Sequence, residues 1–136
     1  MDEGLDNVHE RHARLATGVR AAVAAWGLRN CARRAELHSD TVTAVMVAPT
    51  INANDIIGAA YNHYGVSLGG GLGKVAGKVF RIGHLGWLNE AMVIQALGGA
   101  ELAMRHCGVR FEAGAGVGAA IEHFTDTRAE LPLAAE

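Results

Sequence analysis

Five glycines fall within nine residues, Gly69 to Gly77, and the run leads into a short segment, Lys78 to Gly83, that carries Arg81 between Phe80 and Ile82. No other stretch restricts the fold as tightly. Glycine loses more backbone freedom on folding than any other residue, so this density reads as a loop that neither helix nor strand tolerates. The segment after it alternates as a β-strand does, which sends Arg81 to the face opposite Phe80 and Ile82. A fixed cation beside a mobile glycine loop suits the capture of a small anion. The guanidinium fork matches a carboxylate with two parallel N–H groups, and spacing alone leaves that reading level with a structural ion pair.

The flanking sequence reads as a scaffold. Leu5, Val8, His12, Leu15, Val19, Ala22 and Trp26 share one face of a helix expected over Leu5 to Leu28. Leu28 to Ala32 suggests a short strand and Thr41 to Ala48 a β-branched one that Pro49 ends. Asn52 is placed to cap a helix to Tyr64, with Ile56, Ile57, Ala60 and Tyr64 inward and Gly65 as its C′ residue. A third helix is expected over Leu88 to His106, and Gly114 to Gly118 reads as a loop before a short amphipathic helix with Val117, Ala120, Ile121 and Phe124. The order predicts an α+β fold: a small, mainly antiparallel sheet with helices packed on one face. One domain is expected over residues 1–125 and a flexible tail over 126–136.

Other chemistries find little support. The net charge of -2 favours neither nucleic acid nor an acidic membrane surface. The first ten residues are charged from Asp2 onward, which argues against a secretory leader, and the chain is expected to be soluble and cytoplasmic, with Cys31 and Cys107 as reduced thiols. A P-loop reading fails because Leu72 stands where its first glycine belongs, Val79 follows Lys78, and the next element is a strand. A dinucleotide fingerprint fails because Gly71-Leu72-Gly73 precedes no helix. His9 and His12 share a helix face without an acidic partner, so no metal site is expected.

The run GGGLGKVAGKVFRIGHLG followed by LNE resembles the class V aminotransferases, in particular the serine–glyoxylate branch, and the likeness extends from Glu3 to Phe124. It implies the C-terminal small domain of a fold type I pyridoxal-phosphate enzyme that works as a homodimer and moves an amino group from serine or alanine to glyoxylate. It also implies that Arg81 grips the substrate α-carboxylate. Gly70, Gly71 and His84 would wall the site mouth. The family's cofactor-binding residues and Schiff-base lysine lie in a large domain that these residues do not include, and neither Lys74 nor Lys78 matches that lysine. No catalytic residue is therefore expected here, and the chain alone is expected to be inactive. Half of a split enzyme, or a stand-alone module binding amino-acid carboxylates, are the alternatives. Trp87 stands where the family usually has aspartate. Tryptophan cannot cap a helix, so the start of the third helix is expected to shift.

Overall fold

The computed structural model describes residues 3–128. Helix α1 spans Leu5–Ala25 and buries the expected face through His12, Leu15, Val19 and Ala22, with Trp26 just beyond its end. There are four strands among the described residues: β1 (Arg29–Asn30), β2 (Val42–Met46) and β4 (Val79–Gly83), each inside an expected strand, and β3 (Gly69–Gly70). They form one sheet in the order β1-β2-β4-β3, every pair antiparallel. Helix α2 (Ala53–Tyr64) begins where Asn52 Oδ1 accepts the Asn54 N–H at 3.0 Å and ends at Gly65, whose φ of 65° is left-handed. Its buried stripe is Ala53, Ile56, Ala59 and Ala60, while Ile57 and Tyr64 sit half-buried at the edges.

Three expectations are corrected. The glycine run is not all loop, because Gly69 and Gly70 are β3 and pair with Arg81 and Phe80. Glycine is needed there by close packing. A Cβ at Gly71 would strike the Val75 carbonyl and come within 2.8 Å of Val79 Cγ2, since the chain folds back over Val79 after a single 3-10 turn at Gly73–Val75. The third helix, α3, spans Glu90–His106 rather than starting at Leu88; Asn89 caps it by accepting the Met92 N–H at 3.0 Å, and Trp87 stands 76% exposed outside it.

The third correction is α4 (Ala115–Asp126), which is helical through most of the expected Gly114 to Gly118 loop. The buried Glu101 carboxylate of α3 lies at its N-terminus and accepts N–H bonds from Gly114 (2.7 Å), Gly116 (3.0 Å) and Val117 (3.1 Å). It also accepts the Trp26 indole N–H at 2.9 Å. These first amides have no partner within their own helix, and an anion beside them suits the helix dipole. A distant side chain thus overrides a glycine-rich local sequence. Helix α4 includes Asp126, the first residue of the expected tail, and residues 129–136 of that tail lie outside the described residues.

All four helices cover one face of the sheet, α1 beside α4 and α2 beside α3. Thr43 and Val45 of β2 and Phe80 and Ile82 of β4 point into this layer, where they meet Leu15, Val19, Ile56, Leu97 and Met104. Arg14 ties α1 to its neighbours: it pairs with Glu90 of α3, and its Nη2 donates to the Phe124 carbonyl of α4 at 2.8 Å. On the other face, Val42, Ala44 and Met46 alternate out of the core with Arg81 and are only half-buried. No helix among the described residues is long and apolar enough to cross a membrane.

Candidate carboxylate site

Arg81 occupies the middle of β4, with Ala44 of β2 opposite it on one side and Gly69 of β3 on the other. Both neighbours are small, so the arginine stem is not crowded across the strands. The stem leans over Gly69: a Cβ built there would lie 3.2 Å from both Arg81 Cβ and Nε. Arg81 Nε is buried and has no hydrogen-bond partner among the described residues, and none of the four ion pairs found among them includes Arg81. The internal ion pair left open by spacing is therefore not what this arginine forms within the described residues. A buried N–H without an acceptor is costly, and the charge of the same guanidinium is not neutralised by any ion pair among the described residues.

Of the other expected site residues, Gly70 lies in β3 opposite Phe80, and Gly71 follows at the strand's exit, packed against Val75 and Val79. His84 is placed differently from the strand-end reading. It is fully buried, on the helix side with Phe80 and Ile82, and both ring nitrogens are engaged. Nδ1 donates to the Asp40 carbonyl at 3.0 Å, which leaves Nε2 to accept from Thr43 Oγ1 at 2.9 Å. In this chain His84 fastens the end of β4 to β2 and presents nothing to a ligand. Burial pushes its pKa below the ordinary histidine value.

That placement gives a pH prediction. The unfolded chain takes up a proton on His84 at higher pH than the folded one, so its contribution to stability is complete above about pH 6.5 and is lost as the pH falls below that value. Thermal unfolding at about pH 7.5 and about pH 5 is expected to show a drop in melting temperature that His84→Gln reduces. An unchanged drop in that variant would remove His84 as a source.

The loop after β4 is tethered to α1. His12 and Arg11 of α1 hold it: the Gly86 N–H donates to His12 Nε2 at 3.0 Å, and Arg11 Nη1 donates to the carbonyls of Gly86 (2.9 Å) and Leu88 (3.2 Å). The Arg11 guanidinium lies 5.6 Å over the Trp87 ring and pairs with Glu3, whose carboxyl it holds below the usual range. Leu85 and Trp87 thus project from a tethered loop. A separate cleft of about 500 Å³ beside α1, lined by Arg20, Arg29, Arg33 and His38, includes none of the expected site residues.

The residues present do not form a pyridoxal-phosphate site of their own. Lys74 and Lys78 are the only lysines, and both are exposed on the segment between β3 and β4. Among the described residues no three His, Cys, Asp or Glu side chains are grouped to hold a metal.

No family model matches the chain. Its sequence is 56% identical over 123 residues to the serine–glyoxylate aminotransferase of Hyphomicrobium methylovorum, covering 90% of this chain and 30% of that protein. It is 52% identical over 129 residues to the L-aspartate–glyoxylate aminotransferase of Paracoccus denitrificans, covering 95% of this chain and 33% of the relative. The crystal structure of pyridoxamine–pyruvate aminotransferase from Mesorhizobium loti superposes with a TM-score of 0.86 at 34% identity, over 92% of this chain and 32% of that one. Sequence and fold together match the chain to the C-terminal region of the class V pyridoxal-phosphate aminotransferases. Within that class its likeness is to the serine–glyoxylate aminotransferases, of whose length it spans about a third.

Proposed function

We propose that this chain is the substrate-binding side of a glyoxylate-linked aminotransferase, with Arg81 as the residue that holds the α-carboxylate of the amino donor and of the oxo acid. The observation that carries the reading is the unpaired Arg81 on the helix-free face of the sheet. A guanidinium fixed on a strand orients a carboxylate by two parallel bonds and so sets where the neighbouring Cα–H points. Glyoxylate appears in the names of both relatives, whereas the donors named are serine and aspartate, so the acceptor is the better supported of the two substrates. Pyridoxal phosphate, the family's amino carrier, would be held by the remaining two-thirds of such an enzyme, and a homodimer completes the reading. The chain's own part is to bind and orient.

The test is a chimera in which this chain replaces the matching third of the Hyphomicrobium methylovorum enzyme. It is expected to transfer the amino group of serine to glyoxylate. Arg81→Ala is expected to lower kcat/KM by roughly 10- to 100-fold, the loss of about 1.5–3 kcal/mol that charged hydrogen bonds supply. A folded, cofactor-loaded chimera whose kcat/KM is indifferent to Arg81→Ala would sink the assignment.

A further inference from the structure

We infer that Gly69 is a positioning residue for Arg81: its bare backbone is what lets the arginine stem lie across β3 and aim its terminal nitrogens outward. The inference deepens the carboxylate-binding reading and rests on it for its functional consequence. Gly69 and Arg81 are directly opposed in the antiparallel register. Opposed positions bring side chains close on one face of a sheet, so the residue opposite an arginine decides whether its stem stands upright or lies over the neighbouring strand. Any Cβ at position 69 would come within 3.2 Å of Arg81 Cβ and Nε, so two atoms of the side chain would have to give by a few tenths of an ångström, with Cζ in ordinary contact at 3.5 Å.

The chemical consequence concerns which nitrogens meet a ligand. Nε is buried, so a carboxylate cannot reach it along the side of the fork. The terminal nitrogens are absent from the buried, unpartnered atoms and carry no hydrogen bond among the described residues, which leaves them as the face offered to an acid group. Gly70, next in the strand, has a different neighbourhood. A Cβ there meets Ile57 Cδ1 at 3.5 Å, ordinary contact on the helix side. The two adjacent glycines therefore separate cleanly: one governs Arg81 and the other does not.

The experiment reads Arg81 directly in this chain. Arginine Nε–H resonances are recorded on nitrogen-labelled protein, with Arg81 assigned by the signal lost in Arg81→Lys. The wild-type Nε–H is expected to exchange slowly with water. Gly69→Ala is expected to speed its exchange at least tenfold, whereas Gly70→Ala leaves it unchanged. Slow exchange retained in Gly69→Ala, or equal acceleration by both variants, would overturn the inference. In the chimera, Gly69→Ala is expected to raise KM for serine at least tenfold with kcat less affected. Should exchange accelerate as stated while KM stays the same in both Gly69→Ala and Arg81→Ala, the positioning stands and the carboxylate role falls.

Discussion

Glu101→Ala is expected to destabilise the chain by about 3 kcal/mol or more, because hydrogen bonds to a charged acceptor are worth about 1.5–3 kcal/mol each and one carboxylate here takes four. The bonds are not additive. The amides at Gly114 and Val117 are only part-buried and regain water in the variant. The indole N–H of Trp26 and the amide of Gly116 are buried and have no alternative acceptor nearby. A loss of this size is a large part of the roughly 5–15 kcal/mol that holds an ordinary domain together. Urea unfolding followed by tryptophan emission measures it, since Trp26 is buried and Trp87 is not. Glu101→Gln keeps the shape but replaces one acceptor oxygen with a donor, and is expected to fall between the wild type and alanine. A cost below about 1 kcal/mol for the alanine variant would mean that water replaces the carboxylate.

Gly116→Ala is expected to cost about 2 kcal/mol, although alanine is the better helix former by about 1 kcal/mol. The added methyl would run into the Trp26 indole, reaching within 2.8 Å of Cζ2 as well as colliding with Nε1 and Cε2. The ring has nowhere to go: it is 3% exposed, and its nitrogen is bonded to Glu101. The clash also tilts the indole off that carboxylate. The double variant with Glu101→Ala should therefore cost less than the sum of the two. Gly118→Ala provides the contrast. A Cβ there meets nothing within 4 Å, so only the helix propensity remains and a gain of up to about 1 kcal/mol is expected. Destabilisation by both alanines alike would show that backbone freedom, and not the indole, governs this helix start.

What the sequence displays clearly is periodicity. The inward face of α1 from His12 to Trp26, the alternation of β2 and β4 and the Asn52 cap follow from spacing or from one local hydrogen bond and are present, whereas Leu5, read onto the same face, is 69% exposed. Arg81 was legible for the same reason, since alternation alone sends it away from Phe80 and Ile82. Most of the failures involve residues remote in sequence. Gly69 and Gly70 pair as a strand because β4 offers them an edge, not because glycine favours extension. Residues Ala115 to Gly118 are helical because Glu101 of the neighbouring helix accepts the amides of Gly114, Gly116 and Val117. The start of α3 is the local exception: Asn89, two residues after Trp87, caps it through the Met92 N–H. His84 looked like a ligand-facing residue at a strand end, and only the partners Thr43 and Asp40, some forty residues earlier, reveal it as a fastening. Within the candidate site, composition pointed to the glycines and packing explains them.

The pairing of α1 with α4 has a consequence during synthesis. The first helix emerges with an apolar face, Leu15, Val19 and Ala22 among it, whose Gly18 packs on Phe124 of a partner that has not yet been made. Some ninety residues separate the end of α1 from the start of α4, which at ordinary translation rates is a wait of roughly 5–20 seconds. Until then the nascent chain carries an apolar stripe in search of cover, a natural target for a chaperone that binds exposed hydrophobic segments.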